Sequence, residues 1–129
     1  MENDTPKLPP LRSLKLNKEF KRAYYQGGYK AHPLLVSYQV RNRFRAPRVG
    51  ITTGKKIGCA VRRNRARRIL RQACRELMRE EPQLFGGFDF VFVAREKTPD
   101  STTPEIKRVM QKQLAALKNN PRNPGRTGR

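Results

Sequence analysis

Residues 58–79 read GCAVRRNRARRILRQACRELMR, and this stretch dominates the fold that the sequence predicts. When successive residues are placed about 100° apart, the apolar side chains fall on one side of the cylinder. They are Ala66, Ile69, Leu70, Ala73, Cys74 and Leu77. Asn64 and most of the arginines occupy the other side. The pattern predicts an amphipathic helix that begins within residues 58–61 and ends near Arg79, ahead of Pro82.

The basic side of this predicted helix destabilises the helix itself. Arginines in its first two turns lie near unpaired N–H groups, where each cation costs about 0.3–1 kcal/mol. The same charge recurs every fourth residue, and such neighbours repel by about 0.2–0.5 kcal/mol per pair. These residues are Arg63, Arg67, Arg71 and Arg75, and the nearby acids are confined to the far end at Glu76, Glu80 and Glu81. A bound polyanion would relieve the repulsion, because helix N-termini and arginines both suit phosphate oxygens.

The charge of the whole chain also favours a polyanionic partner. Its 129 residues carry 30 Lys and Arg against 10 Asp and Glu, a net charge of +20. From Phe20 to Arg75 inclusive there are 16 basic residues and no carboxylate. A solvated surface normally mixes the two signs, whereas clustered Lys and Arg are typical of nucleic-acid binding. We therefore expect a polyanionic partner, and the length predicts a single domain.

Several classes of protein are excluded. No apolar run approaches the roughly 18 residues of a membrane span, and the Met-Glu-Asn-Asp start is not a secretory signal. Cys59 and Cys74 form no disulfide framework. His32 is the single histidine and the carboxylates are unclustered, so we expect no catalytic residue and no metal site in the protein itself. These features indicate a cytoplasmic protein without membrane contact.

The remaining patterns predict the strands. Four are expected, at residues 29–31, 34–41, 48–54 and 88–95. The second and third are expected to form a hairpin across a turn at residues 42–47. The fourth reads Phe-Asp-Phe-Val-Phe-Val-Ala-Arg, and its apolar character predicts a central, buried strand.

Two further helices complete the predicted fold. The first covers residues 18–25 with Asn17 as its N-cap, and the last begins with Thr103 as N-cap and Pro104 in its first helical position. The element order is αβββαβα with helices on one face of a small sheet, which is an α+β sandwich. Residues 1–11 are expected to form a flexible arm, residues 12–117 the domain, and residues 118–129 a disordered basic tail.

Aromatic side chains on a basic surface can stack unpaired bases. Phe20, Tyr24 and Tyr38 are the candidates, and core packing is the alternative role for each of them. Tyr38 is the strongest candidate, because a tyrosine between valines on a strand face needs a partner for its hydroxyl. A helix-turn-helix reader of duplex DNA would need another helix directly before the arginine-rich one, where the sequence predicts a strand and a lysine turn.

Residues 55–71, KKIGCAVRRNRARRILR, closely resemble the signature of the bacterial ribonuclease P protein family. That signature combines a lysine-rich turn, Ala-Val, an Arg-Asn pair, and basic residues three, four and seven places after the asparagine. The resemblance extends over roughly residues 12–117. One departure is visible, since the family usually has a basic residue directly before the leucine at position 14, where this chain has Ser13 and carries Arg12 one place earlier.

The resemblance implies a subunit of the enzyme that removes the 5′ leader from precursor tRNA. The RNA subunit and the Mg²⁺ ions that it binds would carry out the chemistry. The residues implied to bind the RNA subunit are Lys55, Lys56, Arg63, Asn64, Arg65, Arg67, Arg68 and Arg71. Those implied to contact the single-stranded leader, in a cleft between the sheet and the first helix, are Phe20, Tyr24 and Tyr38.

The resemblance also implies a left-handed βαβ crossover around the long helix, in a fold shared with a domain of a small-subunit ribosomal protein. The protein alone is expected to be a monomer. The alternative function is that of a structural RNA-binding protein of ribosomal type without a processing role, because an arginine-rich helix alone would suit that role equally well.

Overall fold

The computed structural model describes residues 12–14, 17–42 and 46–119, and the predicted arm at 1–11 lies outside them. The helices and strands follow the predicted order αβββαβα, with one two-residue strand added in front. They are β1 (Arg12–Ser13), α1 (Asn17–Gln26), β2 (Gly28–His32), β3 (Leu35–Arg41), β4 (Arg48–Thr52), α2 (Ala60–Glu80), β5 (Phe88–Ala94) and α3 (Thr103–Asn119). Because α3 includes Lys118, the predicted tail begins too early, and its residues from 120 onward lie outside the described part.

The five strands form one mixed sheet in the order β1-β4-β5-β3-β2. The predicted hairpin between β3 and β4 is wrong, because β5 lies between them, antiparallel to β3 and parallel to β4. β5 carries Phe90, Val91 and Phe92, all fully buried, so a place at the edge of the sheet would expose the most apolar strand of the chain. The hairpin is formed instead by β2 and β3, whose register pairs Tyr29 with Tyr38.

The helices cover both faces of the sheet, and the prediction that they share one face is wrong. On one face α2 and α3 pack on Leu35, Phe90 and Phe92. On the other face α1 packs on Val40 and Val91. Alternate residues of a strand point to opposite faces, and in β5 both sets are apolar apart from Asp89, so both faces need a cover.

The predicted apolar side of α2 is confirmed. Its fully buried residues are Ala66, Leu70, Ala73, Cys74 and Leu77. Burial raises the pKa of the Cys74 thiol to about 12, so the thiol stays protonated. α2 connects the parallel neighbours β4 and β5, as a βαβ crossover does, and the left-handed sense of that crossover stays a prediction.

Two helix starts differ from the predictions by one residue. Asn17, the predicted N-cap, is the first residue of α1. At α3 the N-cap is Thr102, not Thr103, because the Thr102 hydroxyl accepts a hydrogen bond from the Glu105 N–H at 3.3 Å. The Glu105 carboxylate accepts one from the Thr102 N–H at 2.9 Å in return, which completes a capping box. Pro104 is therefore the second helical residue.

Candidate nucleic-acid interface

The polar side of α2 forms a surface that we call the arginine face, made of Arg63, Asn64, Arg65, Arg67, Arg68 and Arg71. Asn64, Arg65, Arg68 and Arg71 are exposed, and the other two are half-buried. Within residues 12–14, 17–42 and 46–119 no ion pair or hydrogen bond reaches the guanidinium group of Arg63, Arg68 or Arg71. α2 has no acidic residue in its first turn to offset them. Three guanidinium groups of one helix face thus have their donors available to an outside anion.

Two other arginines of this face are already oriented by the protein. The Arg65 Nε donates to the carbonyl of Pro99 at 2.6 Å. Arg67 donates to the Asn64 side-chain oxygen and to the Thr53 hydroxyl, both at 2.8 Å. The exposed Asn64 side chain therefore also orients the guanidinium group of Arg67. Each of these arginines keeps further N–H donors, since a guanidinium has five.

Arg62, which lies outside the predicted set, joins the start of α2 to the segment before α3. Its two terminal nitrogens donate to the Asp100 carboxylate at 3.1 and 3.0 Å, and its Nε donates to the carbonyl of Ile57. The guanidinium holds the pKa of Asp100 below its usual value through these hydrogen bonds. Gly58 has a φ of 122°, where glycine is favoured, and a Cβ there would lie 3.2 Å from Arg62 Cδ.

A groove of about 510 Å³ lies between α2 and the start of α3. Its basic lining consists of Arg65, Arg68, Arg71 and Arg75, and the opposite wall is formed by residues 101–103. Arg75 was not among the predicted binding residues. Every fourth or third residue of α2 lines this groove, so helical periodicity could have added Arg75 to the predicted set.

Lys55 and Lys56 lie away from the middle of the arginine face. They form a short 3₁₀ turn between β4 and α2, and both are exposed. Together with Val36, Thr52 and Val93 they line a groove of about 540 Å³. Val93 belongs to the same face of the sheet that α1 covers. The lysine turn thus borders both the start of α2 and the face of the sheet that carries the predicted aromatic site.

The predicted aromatic residues come together beside α1. The rings of Tyr24 and Tyr38 have centroids 4.9 Å apart and meet edge to face. Tyr29, which sequence reasoning missed, stacks on Tyr38 with centroids 5.6 Å apart and planes inclined by 27°. We call the surface formed by these three tyrosine rings the aromatic cleft. Tyr29 could have been found only with the register of β2 against β3, which a tight turn at Pro33 would have suggested.

Two features distinguish the individual rings of the site. Burial raises the pKa of Tyr24, against a hydrogen bond with Thr52 that lowers it, so the hydroxyl remains neutral at physiological pH. Phe20 packs between α1 and the sheet over Gly50, where a Cβ would lie 2.5 Å from the ring. All three predicted leader-contacting residues are half-buried and pack against the apolar cluster beneath α1, and Tyr24 and Tyr38 are in addition in ring contact.

A polar clamp holds α1 against the sheet. Asp89 on β5 is 1% exposed and accepts two hydrogen bonds from Arg48 at 2.8 and 2.7 Å. Arg48 also binds Glu19 of α1 at 2.9 Å, and Asn42 donates to Asp89 at 2.8 Å. The hydrogen bonds to Asp89 raise the pKa of Arg48. We call Asp89, Arg48 and Glu19 the clamp, and it joins α1 to β4 and β5.

The described fold and surfaces define a small α+β protein with an arginine-rich helix on one face of its sheet and an aromatic cleft on the other. The family model described as Ribonuclease P matches residues 8–118, and the chain belongs to that family. This confirms the family that the motif at residues 55–71 resembled.

Curated relatives and solved structures agree with this assignment. The ribonuclease P protein component of Clostridioides difficile strain 630 is 35% identical over 97 residues, which cover 75% of this chain and 83% of that protein. The component of Pelotomaculum thermopropionicum is 39% identical over 101 residues, 78% of this chain and 88% of that protein. The structure of the Staphylococcus aureus protein superposes with a TM-score of 0.70 at 28% identity, covering 84% of this chain and 97% of that chain. The Thermotoga maritima protein, at 24% identity and a TM-score of 0.65, shares the fold.

Proposed function

We propose that this chain acts in the bacterial cytoplasm with the RNA subunit of ribonuclease P in removing the 5′ leader from precursor tRNA. The arginine face binds the RNA subunit, and the aromatic cleft binds the single-stranded leader. The observation that carries the proposal is the set Arg63, Arg68 and Arg71, three arginines of one helix face without a protein partner among the described residues, in a chain of this family. RNA phosphates supply the anions that the helix lacks.

The chemistry is assigned to the RNA subunit and to Mg²⁺ ions that the RNA binds. Among the described residues there is no group of three or more His, Cys, Asp and Glu side chains placed to hold a metal ion. The His32 Nδ1 accepts a hydrogen bond from the Leu34 N–H at 3.0 Å, so it is occupied in the turn between β2 and β3. The part of the chain that the structure describes also contains no helix long and apolar enough to cross a membrane. The role of the protein is to bind and orient, and its charge replaces counterions.

The aromatic cleft suits an unpaired strand for a physical reason. Bases stack on tyrosine rings without a sequence requirement, at about 1–3 kcal/mol per base. The groove beside the cleft leads to Lys55 and Lys56, whose ammonium groups can neutralise the backbone of the same strand. A leader of any sequence can therefore be held, as an enzyme that acts on many precursor tRNAs requires.

Reconstitution tests the proposal. We expect the protein alone to cleave no precursor tRNA, and we expect its addition to the RNA subunit to increase the rate of 5′ maturation most strongly at low Mg²⁺, where the RNA lacks counterions. The measurement is single-turnover cleavage of 5′-labelled precursor tRNA over a Mg²⁺ series. Absence of stimulation at every Mg²⁺ concentration would reject the proposal. Cosedimentation with ribosomal subunits through a high-salt wash would instead favour the structural, ribosomal-type alternative.

The variant Tyr38→Ala separates these two functions. It removes the ring that contacts both Tyr24 and Tyr29, so we expect affinity of the holoenzyme for precursor tRNA to fall about 10-fold, within the range of one lost base stack. Affinity for mature tRNA, which has no leader, should stay unchanged. The comparison is made by titration of the two labelled RNAs. Tyr38→Phe keeps the ring and serves as the matched control, and equal loss for both RNAs would contradict a leader-binding role.

A further inference from the structure

A groove of about 490 Å³ lies between β2 and α3, and neither the arginine face nor the aromatic cleft includes its lining residues. We propose that this β2–α3 groove binds the phosphate backbone of the part of the 5′ leader that extends past the aromatic cleft. This inference rests on the proposed function, which places the leader in that cleft. It concerns basic residues that neither the family motif nor the sequence pattern singled out.

Three cationic side chains border the β2–α3 groove, and all three are exposed: Lys30 of β2, and Arg108 and Lys112 of α3. Among the described residues no hydrogen bond or ion pair reaches the charged groups of these side chains. Lys107, a neighbouring cation of α3, differs because it pairs with Glu80 of α2 at 2.6 Å. The three groove cations thus have donors available to an outside anion.

The one carboxylate among the lining residues of the groove does not offset these charges. It belongs to Glu105 and is engaged in the capping box, where the N–H and the hydroxyl of Thr102 donate to it at 2.9 and 3.2 Å. Arg108 and Lys112 are four residues apart on α3, so their like charges repel each other. A run of phosphates would relieve this repulsion, since Arg and Lys both bind phosphate.

Gln113, which is 7% exposed, holds the two walls of the groove together. Its amide nitrogen donates to the carbonyls of Lys30 and Leu35 at 3.1 and 2.9 Å. Its amide oxygen accepts a hydrogen bond from the Ser37 hydroxyl at 2.6 Å. Ser37 and Lys30 are directly paired, so both lie on the face of the sheet that α3 covers. The backbone that carries the groove cations is thus in place before a ligand binds, which lowers the entropic cost of binding.

β2 connects the groove to the aromatic cleft. Its consecutive residues Tyr29 and Lys30 point to opposite faces of the sheet, so one strand contributes to both surfaces. β2 is the outermost strand on its side, and the described sheet has no strand beyond it. An RNA strand that crosses the cleft from the Lys55 end therefore reaches the groove by turning around β2. The proposed contacts are made with phosphates on the α3 side, and none of them involves the Tyr29 ring.

An acidic segment of a protein partner is the competing occupant, because carboxylates would also pair with the three cations. The shared strand β2 favours the leader, since a precursor tRNA bound in the cleft brings its own phosphates to the neighbouring groove. The two occupants differ in one measurable respect. A leader contact exists only in substrates whose leader is long enough to reach the groove.

The experiment uses the reconstituted holoenzyme and a series of precursor tRNAs whose leaders lengthen stepwise. For the natural chain, affinity should rise as the leader fills the aromatic cleft and rise again when the leader reaches the groove. The combined substitutions Lys30→Ala, Arg108→Ala and Lys112→Ala should abolish the second rise, a loss of about 10-fold for long leaders at about 0.1 M salt. For these leaders the slope of log affinity against log salt should become shallower by about 2, and for short leaders it should scarcely change.

Two control variants separate the position of the charges from their number. Arg108→Lys combined with Lys112→Arg keeps both charges and should retain the second rise. Lys18→Ala, Lys21→Ala and Lys97→Ala together remove three exposed charges elsewhere on the protein. They should lower affinity slightly, and equally at every leader length, through weaker long-range attraction.

The inference would be overturned by the absence of a second rise for the natural chain, or by a loss of equal size at every leader length. Binding of polyglutamate through the three groove cations, without any effect of leader length, would indicate a protein-docking surface and would overturn it too. If the natural chain gave no preference for precursor over mature tRNA, the proposed function would fail as well, so the two failures are distinguishable.

Discussion

Replacing Arg63, Arg68 and Arg71 together by alanine is expected to lower affinity for ribonuclease P RNA roughly 100-fold at about 0.1 M salt. The slope of log affinity against log salt should become shallower by about 2 to 3, since each lost phosphate contact removes roughly 0.7–0.9 from it. The measurement is a binding titration with the RNA subunit at four or more salt concentrations. A smaller change in both quantities would mean that the arginine face is not the surface that meets the RNA.

These three residues are chosen because their side chains form no ion pair or hydrogen bond with other described residues of the protein. Arg62, Arg65 and Arg67 hold Asp100, Pro99 and Thr53, so their loss would disturb the fold as well as the interface. Arg63, Arg68 and Arg71 have no such contacts among the described residues. Their removal also reduces like-charge repulsion along α2, so thermal stability of the free protein should stay equal or rise slightly.

A charge-matched variant separates position from total charge. Replacing Lys30, Arg108 and Lys112 by alanine removes the same three charges from β2 and α3, where they border a different groove. We expect only a modest loss of affinity there, from weaker long-range attraction. If this variant weakened RNA binding as much as the first, net charge and not the arginine face would account for the affinity.

Asp89→Asn is expected to destabilise the protein by about 3 kcal/mol, which corresponds to a fall in Tm of more than about 10 °C for a domain of this size. The substitution keeps the shape of the side chain but leaves the Arg48 guanidinium, 20% exposed, facing a neutral amide. Removing one partner of a buried pair costs about 3–5 kcal/mol, and the low end applies because Arg48 keeps Glu19. Thermal unfolding followed by circular dichroism provides the measurement.

Asp100→Asn is the matched control for this prediction. Asp100 also accepts two hydrogen bonds from one arginine, but its side chain is 65% exposed and that of Arg62 is 41% exposed. Exposed pairs contribute little because water screens them, so Tm should scarcely move. Equal effects of the two substitutions would show that burial of the clamp adds nothing, and that α1 is held by apolar contacts alone.

Much of the fold was predictable because it depends on local patterns. The apolar spacing of residues 66–77 predicts the buried side of α2, and five of its residues are fully buried. The element order and the central place of β5 were predictable for the same reason, since a strand that is apolar on both faces must be covered on both. The family followed from residues 55–71, which are contiguous in the chain.

Other features could not be predicted because they depend on how distant segments pair. The hairpin expected between β3 and β4 assumed that sequence neighbours pair, whereas β5 enters between them from 36 residues beyond β4. The expectation of helices on one face is wrong because β5 is apolar on both faces. Phe90 and Phe92 pack against α2 and α3, whereas Val91 packs against α1. The N-cap of α3 is a local exception, since the capping box between Thr102 and Glu105 follows a spacing that is visible in the sequence.

The sequence by itself determined the secondary structure, the basic side of α2 and the family, because helix periodicity and charge belong to a single stretch of chain. Only the tertiary structure decided which charges and rings are available for a partner. Asp89 and Arg48 are 41 residues apart, yet they neutralise each other at 2.7 Å. Tyr29 becomes part of the aromatic cleft through its register against Tyr38. Pairing between strands and burial set these relations, and neither is encoded in the local spacing of residues.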